Sequence, residues 1–324
     1  MPKTILITGA TGKQGTALIQ KLSAFPTEFE IVGVTRNVDS AKSKRLTAQY
    51  PTLSLINSSL DKPETIFESV SSEIWGVFCI LPAVISGFNP ALEESQGKAL
   101  IDTCLAHGVS HFVYSSVDRH GETESDNNET YVPHFQSKAH IEQHLQQLAT
   151  EGKCGSNAAA EKVLQLGFPG PRHGMTYTIL RLPLFMENFT DDFTGRLAAT
   201  AWKVGLDPGR KLQMISAIDI AHYAHQSFLN SSTSEYRNRA LSLAGDELTY
   251  AEANETFRNR FGRDLPTTYD VVGRFAFWAA KELEVMVRWW NEIGCAANIE
   301  MLRRGHPDMV RFKDWLEKSD FARW

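Results

Sequence analysis

Cysteine, excess positive charge and long apolar runs are all scarce in this sequence of 324 residues. Four cysteines stand far apart and form no CxxC pair: Cys79, Cys104, Cys154 and Cys295. This spacing supports no metal or redox motif and predicts buried free thiols in a reducing compartment. The formal net charge of −5 provides no broad basic field, so we expect no direct binding of nucleic acid or of an anionic membrane.

The sequence has no pattern of a membrane span or of a signal peptide. The most apolar stretch, residues 74–88, is too short to cross a bilayer and contains Pro82. The first residues run directly into a strand pattern, without the charged and apolar regions of a signal peptide. We therefore expect a cytoplasmic protein, with the nucleus as a second compartment.

Short apolar, β-branched runs alternate with amphipathic stretches in the first half of the chain. The predicted strands are residues 4–8, 30–36, 53–57, 74–80, 110–116 and 175–182. The predicted helices are residues 13–24, 39–49, 90–108 and 134–149. Apolar strands that alternate with helices indicate a parallel sheet covered on both faces, which is the doubly wound α/β class.

The remaining segments predict loops and a smaller, mostly helical C-terminal lobe. Residues 118–134 are polar and predict an exposed loop. Residues 151–174 are rich in Gly, Pro and small side chains and predict a surface excursion, either an insertion or a retained intron. Helices are predicted over 217–229, 249–261, 272–292 and 307–318. We therefore predict one domain over 1–182 and a lobe over 183–324, some of whose segments return to the sheet.

An aromatic stretch within residues 272–292 has helical periodicity. Its apolar stripe consists of Phe275, Ala279, Leu283, Met286 and Trp290. Such a stripe is typical of a helix packed on a core. Phe277 and Trp289 fall off the stripe, so we expect them to face a partner or a substrate.

Three glycines lie between the first predicted strand and the first predicted helix. Gly9 permits the tight turn, Gly12 lets the backbone approach a pyrophosphate, and Gly15 allows close packing of helix on strand. The helix N-terminus presents free N–H groups and a positive dipole end to a phosphate. The pattern predicts a dinucleotide site, with a purely structural turn as the alternative. Its other predicted members are Thr11, Lys13 and Gln14.

The end of the second predicted strand carries no carboxylate. NAD-selective sites place Asp or Glu there to bind the ribose 2′-hydroxyl, whereas this chain has Thr35, Arg36 and Asn37. An arginine can pair with a 2′-phosphate. Arg36 therefore favours NADP(H) over NAD(H), and the alternative is an ordinary solvent-facing charge at a strand end.

Several segments together resemble the NmrA-like branch of the atypical short-chain dehydrogenases/reductases. They are ITGATGKQGTALIQKL, GVTRN, SQGKALIDTCLAHGVSHFVYSSV, VPHFQSKAHIE and TILRLPLFMENF, within residues 4–190. The resemblance implies an NAD(P)-binding Rossmann domain, with a smaller lobe that binds a substrate or a partner across a cleft. Some members are regulators that bind nicotinamide dinucleotides and a transcription factor. Others are NADPH-dependent reductases of small aromatic or quinonoid compounds, including enzymes of fungal secondary metabolism.

The resemblance also implies where chemistry would take place. Standard short-chain dehydrogenases carry a proton-donating Tyr four residues before a Lys that holds the nicotinamide ribose. Here Lys138 is in place and His134 occupies the Tyr position, on the same helix face. Lys138 is either a ribose ligand or a solvated helix lysine. His134 is either a general acid or a helix-entry residue, and Tyr131 in the preceding loop is a substitute acid.

Other candidate site residues follow the ends of the predicted strands. Ser115 and Ser116 end the fifth strand, at the edge where such sheets bind ligands. We expect one of them to face the nicotinamide, with Ser115 assigned to the cofactor and Ser116 to a substrate; the alternative for the second serine is a capping or packing role. The resemblance implies that Leu81 and Pro82 lie beside the adenosine or the nicotinamide. It also implies that Asn188 lines the substrate site, with a loop cap as the alternative.

Two functions are compatible with these residues. One is an NADPH-dependent oxidoreductase acting on a small aromatic, quinonoid or carbonyl metabolite. A quinol product is stable as an anion in water, so the missing Tyr is tolerable. The other is a non-catalytic redox sensor that regulates transcription through a transcription-factor-like protein, which the missing Tyr favours. Isomerase or dehydratase chemistry is a third alternative, and the oligomeric state stays open.

Overall fold

A computed structural model describes residues 2–81, 89–151 and 174–323 of the chain. The predictions made for Pro82, Cys154 and residues 152–173 lie outside these ranges. The chain forms two compact units. The first comprises Met1–Ser116, Ser137–Leu180 and Ile220–Leu241, and the second comprises Val117–Gln136, Arg181–Asp219 and Ser242–Trp324.

The described elements alternate between strand and helix in the first half of the chain. The strands are β1 (Lys3–Ile7), β2 (Phe29–Thr35), β3 (Leu53–Asn57), β4 (Ile74–Cys79), β5 (His111–Val117), β6 (Thr176–Leu182), β7 (Leu184–Phe185), β8 (Leu212–Ile215), β9 (Arg239–Ser242) and β10 (Asp246–Leu248). The first six helices are α1 (Lys13–Leu22), α2 (Ala41–Gln49), α3 (Glu64–Glu68), α4 (Pro90–Ala106), α5 (Gly121–Asn127) and α6 (Pro133–Glu151). The later helices are α7 (Phe193–Gly205), α8 (Ala217–Leu229), α9 (Tyr250–Phe261), α10 (Asp270–Ala279), α11 (Lys281–Glu292), α12 (Ile299–Gly305) and α13 (Phe312–Lys318).

A seven-stranded sheet organises the first unit. Its strand order is β3-β2-β1-β4-β5-β6-β9, and the pairs from β3 to β5 are parallel. Its continuous apolar strands are buried, as Ile5, Leu6 and Ile7 of β1 show by having no exposed surface. The predicted doubly wound parallel sheet is confirmed. Because β1 and β4 are parallel, their carboxyl ends lie at one edge, and the strand order changes direction between them, which is where such sheets bind ligands.

The second unit is mostly helical around a small mixed sheet. Strands β10, β8 and β7 form that sheet, with β10 antiparallel and β7 parallel to β8. Helices pack on it through a core that includes Phe189, Trp202, Met214, Phe257 and Phe312. The predicted mostly helical C-terminal region is therefore confirmed.

Residues 118–134 do not form the exposed loop that their polarity predicts. They contain α5, and Asp118 and Arg119 before it are buried. The Asp118 carboxylate accepts hydrogen bonds from the backbone N–H groups of Gly121 (3.0 Å) and Ala296 (2.9 Å) and from the Ser242 hydroxyl. These donors satisfy the buried charge, so polar residues become part of the packed interior.

The helix predicted over 272–292 is two helices, α10 and α11, which meet at Ala280. The backbone there has φ −121° and ψ 86°, outside the helical region. The apolar stripe was predicted on the assumption of one continuous helix. Because the helix is interrupted at Ala280, the stripe residues before and after the break no longer lie on one helix face. Phe275, predicted to be buried, is 61% exposed, and Trp289, predicted to face a partner or a substrate, is fully buried. The Trp289 ring packs edge-on against Phe135, 4.9 Å between ring centroids.

The helix predicted over 307–318 begins only at Phe312, as α13. The residues before it are held by a carboxylate instead of by a helical turn. The Val310 N–H donates to Asp219 at 3.0 Å, and burial raises the pKa of Asp219 to about 7.

Candidate functional site

The glycine turn between β1 and α1 has a shape that only glycine fits. Gly9 has φ +60°, in the left-handed region. The Gly12 N–H donates to the Gly9 carbonyl at 2.8 Å, and Gly12 caps α1 without any side-chain hydrogen bond. A Cβ on Gly15 would stand 2.5 Å from the Gly9 carbonyl oxygen. The turn therefore presents backbone to its surroundings, with Gly12 and Lys13 exposed and Thr11 half-buried.

Thr8, which the sequence analysis missed, fixes this turn to the next strand of the sheet. Its hydroxyl accepts from the Ile80 N–H at 2.7 Å and donates to the Ile80 carbonyl at 2.8 Å. The two bonds join the carboxyl ends of β1 and β4. Leu81 follows directly and is buried at this edge of the sheet.

Ser115 and Ser116 point to opposite faces of the sheet because successive strand residues alternate. The Ser115 hydroxyl donates to the Gln14 side-chain oxygen of α1 at 2.8 Å. The Ser116 hydroxyl donates to the Glu142 carboxylate of α6. All four side chains are buried. Of the two serines, Ser115 is the one on the side of the glycine turn, and the ligand assigned to each serine stays a prediction.

Lys138 lies within the protein interior and is 8% exposed, so the solvated-lysine alternative is wrong. Its Nζ is 3.1 Å from Glu93 Oε1 and donates to the Ser115 carbonyl at 3.4 Å. The Tyr114 ring lies 5.4 Å from the ammonium. The Ser137 hydroxyl donates to the second oxygen of Glu93. Gln14, Ser115, Lys138, Glu93 and Ser137 thus form one connected series, here called the polar chain.

Glu93 and Ser137 are the members of the polar chain that the sequence analysis missed, and Glu93 is the charged one. A signal for it exists in α4. Glu93 is one turn before Gly97 and two turns before Leu100 and Ile101, which are buried positions of the same helix. A carboxylate on the apolar face of a helix needs a buried partner, and Lys138 is that partner.

The Tyr131 hydroxyl and the backbone of His134 each donate a hydrogen bond to a carboxylate. The Tyr131 hydroxyl donates to Glu292 at 2.6 Å. Burial, with the Glu292 carboxylate, raises the pKa of Tyr131 to about 12, which makes its phenol a weaker acid than usual. His134 is half-buried, and its backbone N–H donates to Glu282 at 3.1 Å. The catalytic roles of both residues stay predictions.

Arg36 follows the last residue of β2 and is exposed. No hydrogen bond or ion pair engages it within the described ranges 2–81, 89–151 and 174–323. The nearest carboxylate along the chain, Asp39, forms an exposed ion pair with Lys44 at 3.4 Å. A cation without a protein partner at this strand end is open to an anionic ligand.

The remaining predicted groups lie elsewhere. Asn188 is half-buried in a 3₁₀ turn, Met186–Asn188, and its substrate role stays a prediction. Cys79 and Cys104 are buried free thiols, and burial raises the pKa of Cys79 to about 12. Among the residues that the structure describes, no cluster of three or more His, Cys, Asp or Glu side chains could hold a metal ion. None of the helices described here has the length and apolar character to cross a membrane.

Comparison with known sequences supports the predicted resemblance. Residues 1–158 match the model of the NmrA-like family. An NmrA-like family domain-containing protein of Dictyostelium discoideum is 28% identical over 149 residues, 46% of this chain and 47% of that protein. The nitrogen metabolite repression protein of Neurospora crassa is 24% identical over 284 residues, 81% and 54% of the two chains. This chain therefore spans about half the length of these two curated relatives.

The names of other relatives and solved structures include both oxidoreductases and a transcriptional regulator. An NmrA-like oxidoreductase of Penicillium ochrochloron, ptmS, is 24% identical over 295 residues, 87% of this chain and 82% of that protein. NmrA, a negative transcriptional regulator solved with NAD, has a TM-score of 0.70 at 15% identity, covering 99% and 96% of the two chains. Citrobacter triphenylmethane reductase, solved with NADP(H), has a TM-score of 0.67 at 16% identity, covering 97% and 99%. At these identities the two structures show the shared fold.

Proposed function

We propose that this chain is an NADP(H)-binding oxidoreductase acting on a small aromatic, quinonoid or carbonyl compound. The proposal starts from the match of residues 1–158 to the model of the NmrA-like family. The observation that carries the proposal is the polar chain. It runs from Gln14 beside the glycine turn, through Ser115, to the buried ammonium of Lys138. A phosphate-binding turn and a positioned lysine on one sheet edge fit the two ends of a dinucleotide.

The preference for NADP(H) rests on the end of β2. Arg36 supplies an exposed cation, and the strand ends on Thr35 without a carboxylate. We infer that Arg36 pairs with the 2′-phosphate while the backbone N–H groups at Gly12 and Lys13 meet the pyrophosphate. Among the solved neighbours, triphenylmethane reductase binds NADP(H) and the regulator NmrA binds both NAD and NADP, so the preference rests on Arg36 and not on the neighbours.

A bound nicotinamide dinucleotide would supply the hydride. The role of this chain is then to hold the ribose through Lys138 and to exclude water with buried side chains such as Leu81. The Tyr131 phenol has a raised pKa, and His134 replaces the usual Tyr. A quinonoid acceptor suits this arrangement because hydride addition gives a stabilised quinol anion, which takes its proton from water.

A second candidate function is a dinucleotide-binding regulator that acts through a transcription-factor-like protein. The absence of a free phenol on α6 supports it, since His134 stands where a reductase of the standard type carries Tyr. The name of the Neurospora crassa relative points the same way. In this function the partner must bind the oxidised and reduced forms of the complex with unequal affinity.

NADPH oxidation, followed by absorbance across a panel of quinones, aldehydes, imines and enones, distinguishes the two functions. An oxidoreductase gives saturable turnover that Lys138→Ala abolishes. Lys98→Ala is the matched control, since Lys98 pairs with Glu94 on the half-exposed side of α4. NADPH binding without turnover on any compound would overturn the oxidoreductase and support the regulator. The search for a partner would then compare proteins captured with NADP⁺ and with NADPH.

A further inference from the structure

The strongest feature that the proposed function leaves unused is the carboxylate of Glu93. It is 4% exposed, on the first turn of α4, where a buried charge is costly unless it is paired. Both of its oxygens are engaged, Oε1 by the Lys138 ammonium at 3.1 Å and Oε2 by the Ser137 hydroxyl. The carboxylate is therefore held at two points and presents a fixed anion to the lysine.

The Lys138 ammonium is oriented by what it contacts. An ammonium carries three N–H donors. Among the described residues, the Ser115 carbonyl accepts a hydrogen bond from it at 3.4 Å, and Glu93 Oε1 forms an ion pair with it at 3.1 Å without hydrogen-bond geometry. The Tyr114 ring lies on a further side at 5.4 Å. The hydrogen bond to Ser115 and the ion pair with Glu93 hold the ammonium from two sides and so restrict the direction of its remaining N–H groups.

The pair as a whole carries no net charge. A buried lysine without an anion would attract phosphate, whereas a neutralised lysine offers a directed hydrogen bond with little long-range field. The glycine turn and Arg36 already provide the groups that suit phosphates. The polar chain is thus better suited to an uncharged hydroxyl.

We propose that Glu93 is a positioning residue that neutralises Lys138 and directs its free N–H at an uncharged ribose hydroxyl of the cofactor. This inference rests on the proposed binding of NADP(H). Glu93 acts only through Lys138, and Ser137 keeps its carboxylate in place. The charge and the orientation of Lys138, and not its presence alone, then decide affinity for the nicotinamide half of the ligand.

Binding measurements with two ligands test this role. NADPH reaches Lys138 in the proposed pose, whereas adenosine 2′,5′-bisphosphate lacks the second ribose and does not. We expect Glu93→Gln to weaken NADPH binding about tenfold, as loss of a charge-assisted, oriented bond would, and to leave adenosine 2′,5′-bisphosphate binding unchanged. Ser137→Ala keeps both charges and should weaken NADPH binding by a smaller factor. Isothermal titration calorimetry gives both affinities.

Glu94→Gln is the matched control for this experiment. Glu94 is the next residue of α4, and it pairs with Lys98 and His140 and not with Lys138. We expect both ligands to bind this variant as they bind the wild type. Ser137→Ala keeps the test decisive if Glu93→Gln does not fold, since it leaves the ion pair intact.

A double variant separates a positioning role from general damage. If Glu93 acts through Lys138, then Lys138→Met and Lys138→Met/Glu93→Gln bind NADPH equally. Equal losses for NADPH and adenosine 2′,5′-bisphosphate, or unchanged or tighter NADPH binding in both Glu93→Gln and Ser137→Ala, would overturn the inference. Failure of the wild type to bind either ligand would instead overturn the proposed function.

Discussion

Two cations in the first unit, Lys138 and Arg36, are held in opposite ways. Lys138 is buried, and its ammonium has Glu93 and Ser115 as partners. Arg36 is exposed, and the described residues give its guanidinium no partner. Residues of the protein fix the position of the Lys138 ammonium, whereas no described residue fixes the Arg36 guanidinium, which is open to an anionic ligand. Lys138 should therefore matter for stability and geometry, and Arg36 for electrostatic selection of a ligand.

The largest expected effect is on folding. Lys138→Met leaves the Glu93 carboxylate buried without its counter-ion, which should lower the free energy of unfolding by about 3–5 kcal/mol. Arg36→Met should change it by less than about 0.5 kcal/mol, because the side chain is exposed and contacts no described charge. Urea unfolding of the two variants checks this contrast. Equal effects would show that burial does not distinguish the two cations.

The buried imidazole of His225 extends the comparison of the two cations to a third basic side chain. His225 is 2% exposed and stacks on Phe25 at 4.7 Å, and neither ring nitrogen has a hydrogen-bond partner among the described residues. Burial lowers the pKa of His225 to about 4. The unfolded chain takes up this proton near pH 6.5 and the folded chain only near pH 4, so stability is full above pH 6.5 and falls as the pH drops toward 4.

His225→Phe should remove this part of the pH dependence. Between pH 7 and pH 5 the wild type should lose about 2 kcal/mol more unfolding free energy than the variant. His111, whose pKa burial lowers to about 3, contributes a similar loss in both proteins and so cancels in the difference. Urea unfolding at the two pH values measures it. Parallel losses in wild type and variant would mean that His225 does not titrate in this range.

The smallest effect is expected for selection between cofactors. Arg36→Ala should weaken NADPH binding about tenfold and leave NADH binding nearly unchanged, since only NADPH carries a 2′-phosphate. Added salt should weaken NADPH binding to the wild type more than to the variant, because an exposed pair is screened. Titration calorimetry with both dinucleotides checks this. An equal loss for NADH would assign Arg36 to a group that the two dinucleotides share.

Sequence reasoning succeeded where the cause is local. The glycine spacing predicts the turn, and the absence of a carboxylate after Val34 is readable directly. Sequence reasoning failed where a contact joins segments that are far apart along the chain. The bond from Ser115 to Gln14 and the pairing of Lys138 with Glu93 depend on how β5, α1, α4 and α6 pack. The helix break at Ala280 was not predicted either, because no Pro or Gly marks it in the sequence.

The isolation of Arg36 also has an evolutionary consequence. Arg36 is exposed and has no hydrogen bond or ion pair among the described residues, so its replacement should carry little penalty to folding. If Arg36 binds the 2′-phosphate as proposed, the choice between phosphorylated and unphosphorylated dinucleotide is separated from the integrity of the sheet. Under the proposed role of Arg36, a single substitution would exchange one cofactor pool for another, while the residues around Lys138 remain tied to one another.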